Sequence, residues 1–271
     1  VTDSAYVFGS EDVEIARLQT QAALLAEPTA FLLQRGGIRP GMRVLDLGSG
    51  PGDVAFQVAQ MVGPDGRVVG VERDAAQLTA ANQRRDQLGW DNVEFREGDV
   101  RSFVDEEPFD AVVCRLLLMH LPDAVDVLAH QRRNLRSDGV VVAIDYDGGG
   151  MRTLPEVELY SRMVQWLRAG FAHARADLDT GMRLPVLFDQ AGYRDVNTLG
   201  FQLYWPPRTP QVVAYLTSVV CAIKAAIVAS GVTTEAEMDL DTLAERLGQE
   251  IDAANAVVTL PTVVGGWAKR P

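Results

Sequence analysis

Val44-Leu45-Asp46-Leu47-Gly48-Ser49-Gly50-Pro51-Gly52-Asp53 is the stretch on which the fold turns. Val44, Leu45 and Leu47 make a short apolar run broken only by Asp46, the pattern of a strand buried on both faces. Glycines at alternate positions follow, and Val54-Ala55-Phe56 then opens a helical pattern. A strand that passes through glycines into a helix offers backbone N–H groups at close range, because no Cβ stands in the way. In a doubly wound sheet this first turn lies at the carboxyl edge, beside the switch point where nucleotide-like ligands bind.

Beyond that turn the pattern alternates: helix 54–61, strand 68–72, helix 75–88, strand 93–96, strand 111–115, helix 124–135 and strand 140–146. Gly63-Pro64-Asp65-Gly66, Gly89-Trp90-Asp91-Asn92 and Ser137-Asp138-Gly139 are the breaks between helix and strand, and Asp123 stands as an N-cap. Such alternation predicts an α/β fold, a doubly wound and mostly parallel sheet with helices on both faces. Ahead of it, Ile15, Leu18, Ala22 and Leu25 predict an amphipathic helix over 11–35, interrupted near Pro28. After Gly148-Gly149-Gly150 come a helix over 156–175, a short helix over 184–191 and a strand over 195–204. Helices over 210–230 and 235–255 follow, the second behind Thr233-Thr234-Glu235, and the tail 256–267 reads as a strand interrupted by Pro261. The expected organisation is a helical cover at 1–40, a core from 41–209 and 256–271, and a helical insertion at 210–255 before the last strand.

The 271 residues are 47% hydrophobic and 23% charged, which supplies a sizeable core and no bias toward disorder. A formal charge of −12 opposes a nucleic-acid partner. The densest basic cluster, Arg132-Arg133 with Arg136, is expected on the outer face of a helix. Cys114 and Cys221 show neither CxxC nor Cys/His ligand spacing, so no metal site and no disulfide framework is expected, as in a reducing cytoplasm. Asp3, Glu11, Asp12 and Glu14 precede the first arginine, unlike a signal peptide. The most apolar helix candidate, 212–228, holds Thr217, Ser218 and Lys224 and reads as buried rather than membrane-spanning. A cytoplasmic monomer or homodimer, bound to neither membrane nor nucleic acid, is the expectation.

Three companions sharpen the glycine turn. Glu72 closes the second strand, where its carboxylate can accept from both hydroxyls of a ribose, and Arg73 adjoins it. Gly98-Asp99-Val100 follows the third strand, and a carboxylate beside a backbone N–H can read an adenine edge. Asp46 would serve a pyrophosphate poorly and a cationic amino group well. Together these residues resemble the class I S-adenosylmethionine-dependent methyltransferases, over roughly residues 42–146 and more loosely beyond. The resemblance implies a Rossmann-like core in which Gly48, Gly50 and Gly52 cradle the methionine part, Glu72 holds the ribose, and Asp99 with Val100 contacts adenine. It also implies that Asp110 starts the fourth strand and that Cys114 and Arg115 border the cofactor. Tyr6-x-x-Gly9 with Glu14, Arg17, Leu18 and Gln21 is similar to a group of bacterial small-molecule methyltransferases. So are Asp177-Leu178-Asp179-Thr180-Gly181 before Leu184-Pro185, and the ending Gly266-Trp267-Ala268. In such relatives the N-terminal helix folds over the cofactor and the insertion covers the acceptor.

His120, just after the fourth strand on the cofactor edge, is the catalytic candidate: an imidazole can take a proton from a phenol, enol or ammonium as the methyl arrives. Its plain alternative is packing. Tyr6 either closes over the sulfonium with its ring or fixes the entrance to the first helix. Arg17 either pairs the methionine carboxylate or meets Glu14 on the helix surface. His130 is expected at the surface, and His173 either lines the acceptor pocket or faces water. Trp166, Tyr204, Trp205, Tyr215 and Val219 build either core or an apolar acceptor chamber. The expected function is methyl transfer from S-adenosylmethionine to a small organic acceptor, oxygen favoured over nitrogen or carbon, with S-adenosylhomocysteine as product. One rival is an NAD(P)-dependent oxidoreductase, disfavoured because Gly48, Gly50 and Gly52 give GxGxG and Asp53 stands where GxGxxG needs its third glycine. The other is a catalytically inactive cofactor-binding regulator.

Overall fold

Five strands at the centre of the computed structural model, which describes residues 11–271, run parallel. They are β1 (Arg43–Leu47), β2 (Arg67–Glu72), β3 (Val93–Glu97), β4 (Phe109–Arg115) and β5 (Leu135–Asp147), paired in the order β3-β2-β1-β4-β5. Beside β5 lie β10 (Thr262–Lys269) and then, at the edge, β7 (Arg194–Phe201). Val44, Leu45, Leu47, Val68, Val69 and Val71 are all buried, as strands covered on both faces require. The chain leaves β1 toward β2 and β3 and returns on the other side at β4, so the order reverses between β1 and β4. The crevice outside their carboxyl ends is the switch point.

The chain divides into two units. The sheet unit comprises Ala26–Tyr146, Thr180–Gly200 and Val263–Pro271. It carries α2 (Asp53–Val62), α3 (Ala75–Leu88), α4 (Ala124–Gln131) and α6 (Thr180–Gln190), and its core gathers Leu45, Val112, Phe109, Leu128, Leu135 and Phe188. The helical unit comprises the described residues up to Leu25, Asp147–Asp179 and Phe201–Thr262. In it α5 (Glu158–His173) packs on α8 (Lys224–Ala229), and α7 (Pro210–Ala222) on α10 (Leu240–Ala254). A three-stranded antiparallel sheet joins β6 (Arg152–Leu154), β9 (Val257–Thr259) and β8 (Tyr204–Trp205) in that order. The buried Tyr160 hydroxyl donates to the Thr259 carbonyl at 2.6 Å, tying α5 to β9. Asp147–Asp179 falls with the 210–255 segment, so this unit is larger than the expected insertion.

Several expectations are corrected. Helix α1 (Glu11–Arg35) runs unbroken with Pro28 inside it. The proline removes one N–H and leaves the other turns in place, and Gln57 of α2 donates to the nearby Ala26 carbonyl at 2.6 Å. The helix expected over 124–135 stops at Gln131, and β5 starts at Leu135. Ser137-Asp138-Gly139 is a break, but inside the strand: the register passes from Phe109↔Leu135 to Ala111↔Val140, so residues 136–139 bulge out of the ladder. Arg136 therefore stands on that bulge, paired with Asp110, and not on a helix face. Asp123 occupies the N-cap position without capping; its carboxylate goes to Arg101 instead. The helix expected over 210–230 breaks at Ile223. That over 235–255 divides into α9 (Glu235–Met238) and α10 where Asp239 turns to φ 45°. A capping box of Thr234 and Glu237 starts α9. The strand over 195–204 ends at Phe201, with Tyr204 and Trp205 passing to the small sheet, and around Pro261 the tail likewise divides between the two sheets. No helix among the described residues is long and apolar enough to cross a membrane.

Candidate cofactor site

The glycine turn is built by the end of β2 as much as by β1. Ser49 N–H donates to the Val71 carbonyl at 3.1 Å, and Gly50 N–H to Glu72 Oε2 at 2.9 Å. Glu72 Oε1 accepts from Arg73 N–H at 2.8 Å and Asp74 N–H at 3.0 Å, and Asp74 then caps α3 through the Ala76 and Gln77 N–H groups. One carboxylate thus holds three backbone donors, leaving one of its roughly four acceptor sites open, on Oε2. Gly48 and Gly50 adopt φ values of 61° and 52°, the left-handed region. A Cβ at Gly48 would stand 2.8 Å from Leu117, whereas at Gly50 it would meet nothing within 4 Å. Gly48 is closed by packing; Gly50 opens onto free space.

Asp46 is the charged residue most deeply committed to the site, at 1% exposure, with Oδ2 lacking any hydrogen-bond partner. Burial pushes its carboxyl up to about 8; Glu72 and Asp53 add to the shift, while Arg115 and a backbone bond from Ala55 oppose it. Three residues on, the buried Ser49 hydroxyl also lacks a partner. Two orphaned polar atoms beside one open turn are the mark of a polar ligand's seat. Arg115, at the carboxyl end of β4, reaches Thr29 Oγ1 of α1 at 3.2 Å.

Past β3, Asp99 Oδ1 accepts from Arg101 N–H at 2.8 Å, and Arg101 closes a two-bond pair on Asp123 at 2.7 and 3.0 Å. Past β4, a single 3₁₀ turn (Leu118–His120) follows Leu117, and His120 is exposed at its end. The topology therefore brings Asp46, the three glycines, Glu72, Arg73, Asp99, Val100, Arg115 and His120 to one edge of the sheet unit. Tyr6 lies outside the described residues. Arg17, 7% exposed, belongs to the helical unit. There Gln21, one turn further along α1, donates to the buried Tyr215 hydroxyl at 3.0 Å.

His130 is not a surface residue as expected: it is half-buried, with Nε2 3.1 Å from the Phe103 carbonyl. His173 is exposed at the end of α5. Trp166 and Tyr215 are core, while Tyr204 is 65% exposed. Burial, with the Asp145 and Asp46 carboxylates nearby, pushes the Cys114 thiol well above its ordinary range. Among the described residues no cluster can hold a metal ion. One contributor that the sequence did not reveal is Arg84 of α3, which donates to the Pro51 carbonyl at 2.7 Å and to Asp53 at 2.8 Å. More than thirty residues separate it from the turn that it holds, and no local pattern marks that pairing.

A family model described as "Methyltransferase domain" matches residues 38–191. An arsenite methyltransferase of Aquipseudomonas alcaligenes is 37% identical over 107 residues, 36% of this chain and 31% of that protein. A ubiquinone/menaquinone biosynthesis C-methyltransferase of Hahella chejuensis is 30% identical over 118 residues, 43% of this chain and 47% of its own. The chain spans less than half the length of these curated relatives. The crystal structure of the YcgJ protein of Bacillus subtilis superposes with a TM-score of 0.58 at 17% identity, covering 91% of this chain and 99% of that one, a likeness of fold.

Proposed function

The chain belongs to the methyltransferase-domain family, its domain is of the S-adenosylmethionine-dependent kind, and from that premise we propose that the protein methylates a small organic acceptor. The observation that carries the reading is the buried, partnerless Oδ2 of Asp46 beside the open turn at Gly50. When bound, S-adenosylmethionine supplies a methyl carbon made electrophilic by its sulfonium.

The chain's own part is binding, alignment and one proton. Asp46 meets the amino group of the methionine moiety, with Gly50 leaving room for that moiety, Gly48 and Gly52 allowing the left-handed turn that frames it, and Ser49 and Arg115 at its border. Glu72 turns its open acceptor site to the ribose, beside Arg73. Asp99 and Val100 read adenine. Tyr6 and Arg17 stay candidates for the cover over the cofactor. Holding nucleophile and methyl in near-attack contact supplies much of the acceleration. His120, exposed at its 3₁₀ turn, accepts the acceptor's proton, which suits an oxygen acid best.

An organic acceptor is favoured over a soft metalloid. Thiolates rather than thiols are the ligands for soft ions, and of two cysteines Cys114 is buried with its thiol strongly raised and Cys221 lies in the other unit. The same sparse cysteines suit a reducing cytoplasm, where the protein works as monomer or homodimer. Two measurements test the reading: calorimetric titration with S-adenosylhomocysteine against NADH, and mass spectrometry of an acceptor library for a gain of one methyl. Binding of NADH and not of S-adenosylhomocysteine overturns it.

A further inference from the structure

The loop after β3 is held by side chains that play no part in the reading so far. They come from one short stretch, the end of α4 and the turn into β5. Gln131, with 0% exposure, donates from Nε2 to the Val100 carbonyl at 2.6 Å. Its Oε1 accepts from Asn134 Nδ2 at 2.7 Å. Asn134 Nδ2 also donates to the Phe103 carbonyl at 2.9 Å, and Asn134 Oδ1 accepts from Asp105 N–H at 2.9 Å. The orientation of both amides is set by their partners, since a backbone carbonyl only accepts and a backbone N–H only donates. At the other end of α4, Asp123 grips Arg101. The helix is a splint along the loop, fastened at both ends.

The consequence lies in one peptide group. The Val100 carbonyl that Gln131 captures and the Arg101 N–H that Asp99 Oδ1 captures at 2.8 Å belong to the same peptide plane. The bonds therefore run in one line, Asn134 to Gln131, Gln131 to the carbonyl, and the N–H of that peptide to Asp99. Each bond in such a chain polarises the next, and the buried ones gain most. With Oδ1 occupied, Asp99 has Oδ2 left to face a ligand. Half-exposed as it is, this carboxylate would otherwise sample several rotamers.

We propose that Gln131 is a positioning residue that aims the Asp99 carboxylate at the adenine amino group, acting through the peptide that links Val100 to Arg101. The inference rests on the adenine role of Asp99 in the proposed function and adds to it a buried residue more than thirty positions away. It also gives the sheet unit a cause for burying two amides, Gln131 and Asn134, where apolar side chains would pack at lower desolvation cost.

The test compares affinities for S-adenosylhomocysteine and for its 6-oxo analogue, in which oxygen replaces the adenine amino group. The unaltered chain should prefer the amino compound by about ten- to hundredfold, the value of a hydrogen bond to a charged acceptor. Asp99→Ala and the near-isosteric Gln131→Met should each bring that ratio close to one, and the double variant should lose no more than either. Gln131→Leu likewise leaves the Val100 carbonyl without a donor. It should lose the preference as well, and it serves if the methionine variant folds poorly. A residue that merely stabilises the loop weakens both ligands equally and leaves the ratio intact. A preserved ratio in the Gln131 variants with a lost one in Asp99→Ala overturns the inference alone. A preserved ratio in Asp99→Ala overturns the adenine role and the inference with it, and an unaltered chain that binds neither compound overturns the proposed function itself.

Discussion

The two units differ in where they leave buried polar groups open. In the helical unit hydroxyls close on the backbone, with the Tyr160 hydroxyl on Thr259, the Thr217 hydroxyl back on Val213 within α7, and the Thr259 hydroxyl on Gly150 and Arg152, while Trp205 Nε1 stands unmatched. In the sheet unit Asp46 Oδ2 and Ser49 Oγ stay unmatched three residues apart, where the strand order reverses between β1 and β4. An unmatched buried acceptor costs stability, so its persistence at a crevice points to a partner from outside. A lone unmatched donor names no ligand, whereas two unmatched atoms beside an open turn do.

The strongest way to break this contrast is His120→Ala. If the exposed imidazole takes the acceptor's proton, turnover should fall by roughly 10²–10⁴-fold while calorimetric affinity for S-adenosylhomocysteine stays put. Unchanged turnover removes His120 from the chemistry and leaves alignment to do the work.

Glu72→Ala comes next. It removes a carboxylate that holds Gly50, Arg73 and Asp74, so affinity for S-adenosylhomocysteine should drop by about ten- to hundredfold, at roughly 1.5–3 kcal/mol per charged hydrogen bond. Thermal stability should fall with it. A melting temperature that falls with affinity intact would make Glu72 a scaffold residue only.

Asp46→Asn reads the unmatched acceptor through pH. Folded, Asp46 keeps its proton up to about pH 8, while the unfolded chain releases it in the ordinary carboxyl range. The native state therefore binds the extra proton, and its stability falls as pH rises from about 4 toward about 8, then levels off. The asparagine variant escapes that loss, so its advantage in melting temperature without ligand should grow across the same window. Affinity moves the other way: an ammonium group needs the ionised carboxylate, so wild-type binding should tighten as pH climbs toward 8, with proton release, and the variant should be weaker and flatter. Parallel pH profiles for the two proteins would contradict the assignment.

The smallest effect belongs to the helical unit. Arg168 and Asp179 form a two-bond pair at 2.9 and 3.1 Å, with side chains 39% and 42% exposed. Solvent screens such a pair, so Arg168→Met should cost about 1 kcal/mol or less in denaturant unfolding. It should leave affinity for S-adenosylhomocysteine unchanged; a loss there would give this pair a part in holding the cofactor.

Legibility followed the range of the forces. Elements β1 to β4 and the helices between them were readable because apolar runs, glycines and caps act over a few residues. The bulge at residues 136–139 was signalled by Ser137-Asp138-Gly139, but the same residues fit a helix-to-strand turn equally well, and only pairing with β4 decides between them. The breaks at Ile223 and Asp239 carry no glycine or proline, so nothing local announced them. Within the site, Asp46, Glu72 and Asp99 sit at strand ends beside the glycine turn or its equivalents. Arg84, Gln131 and Asn134 act from helices and turns, through bonds that exist only once the sheet has brought distant segments together.

The three N–H groups on Glu72 bear on how the sugar is told apart from its deoxy forms. With one acceptor site left, on Oε2, the carboxylate cannot serve two hydroxyls alike without surrendering a backbone donor. On the proposed ribose role of Glu72, the sugar is read asymmetrically: one hydroxyl anchors, and its neighbour is left to water or to another group. Cofactor products lacking the 2′ or the 3′ oxygen should lose affinity to clearly different extents, and equal losses would mean that the turn opens to let both in.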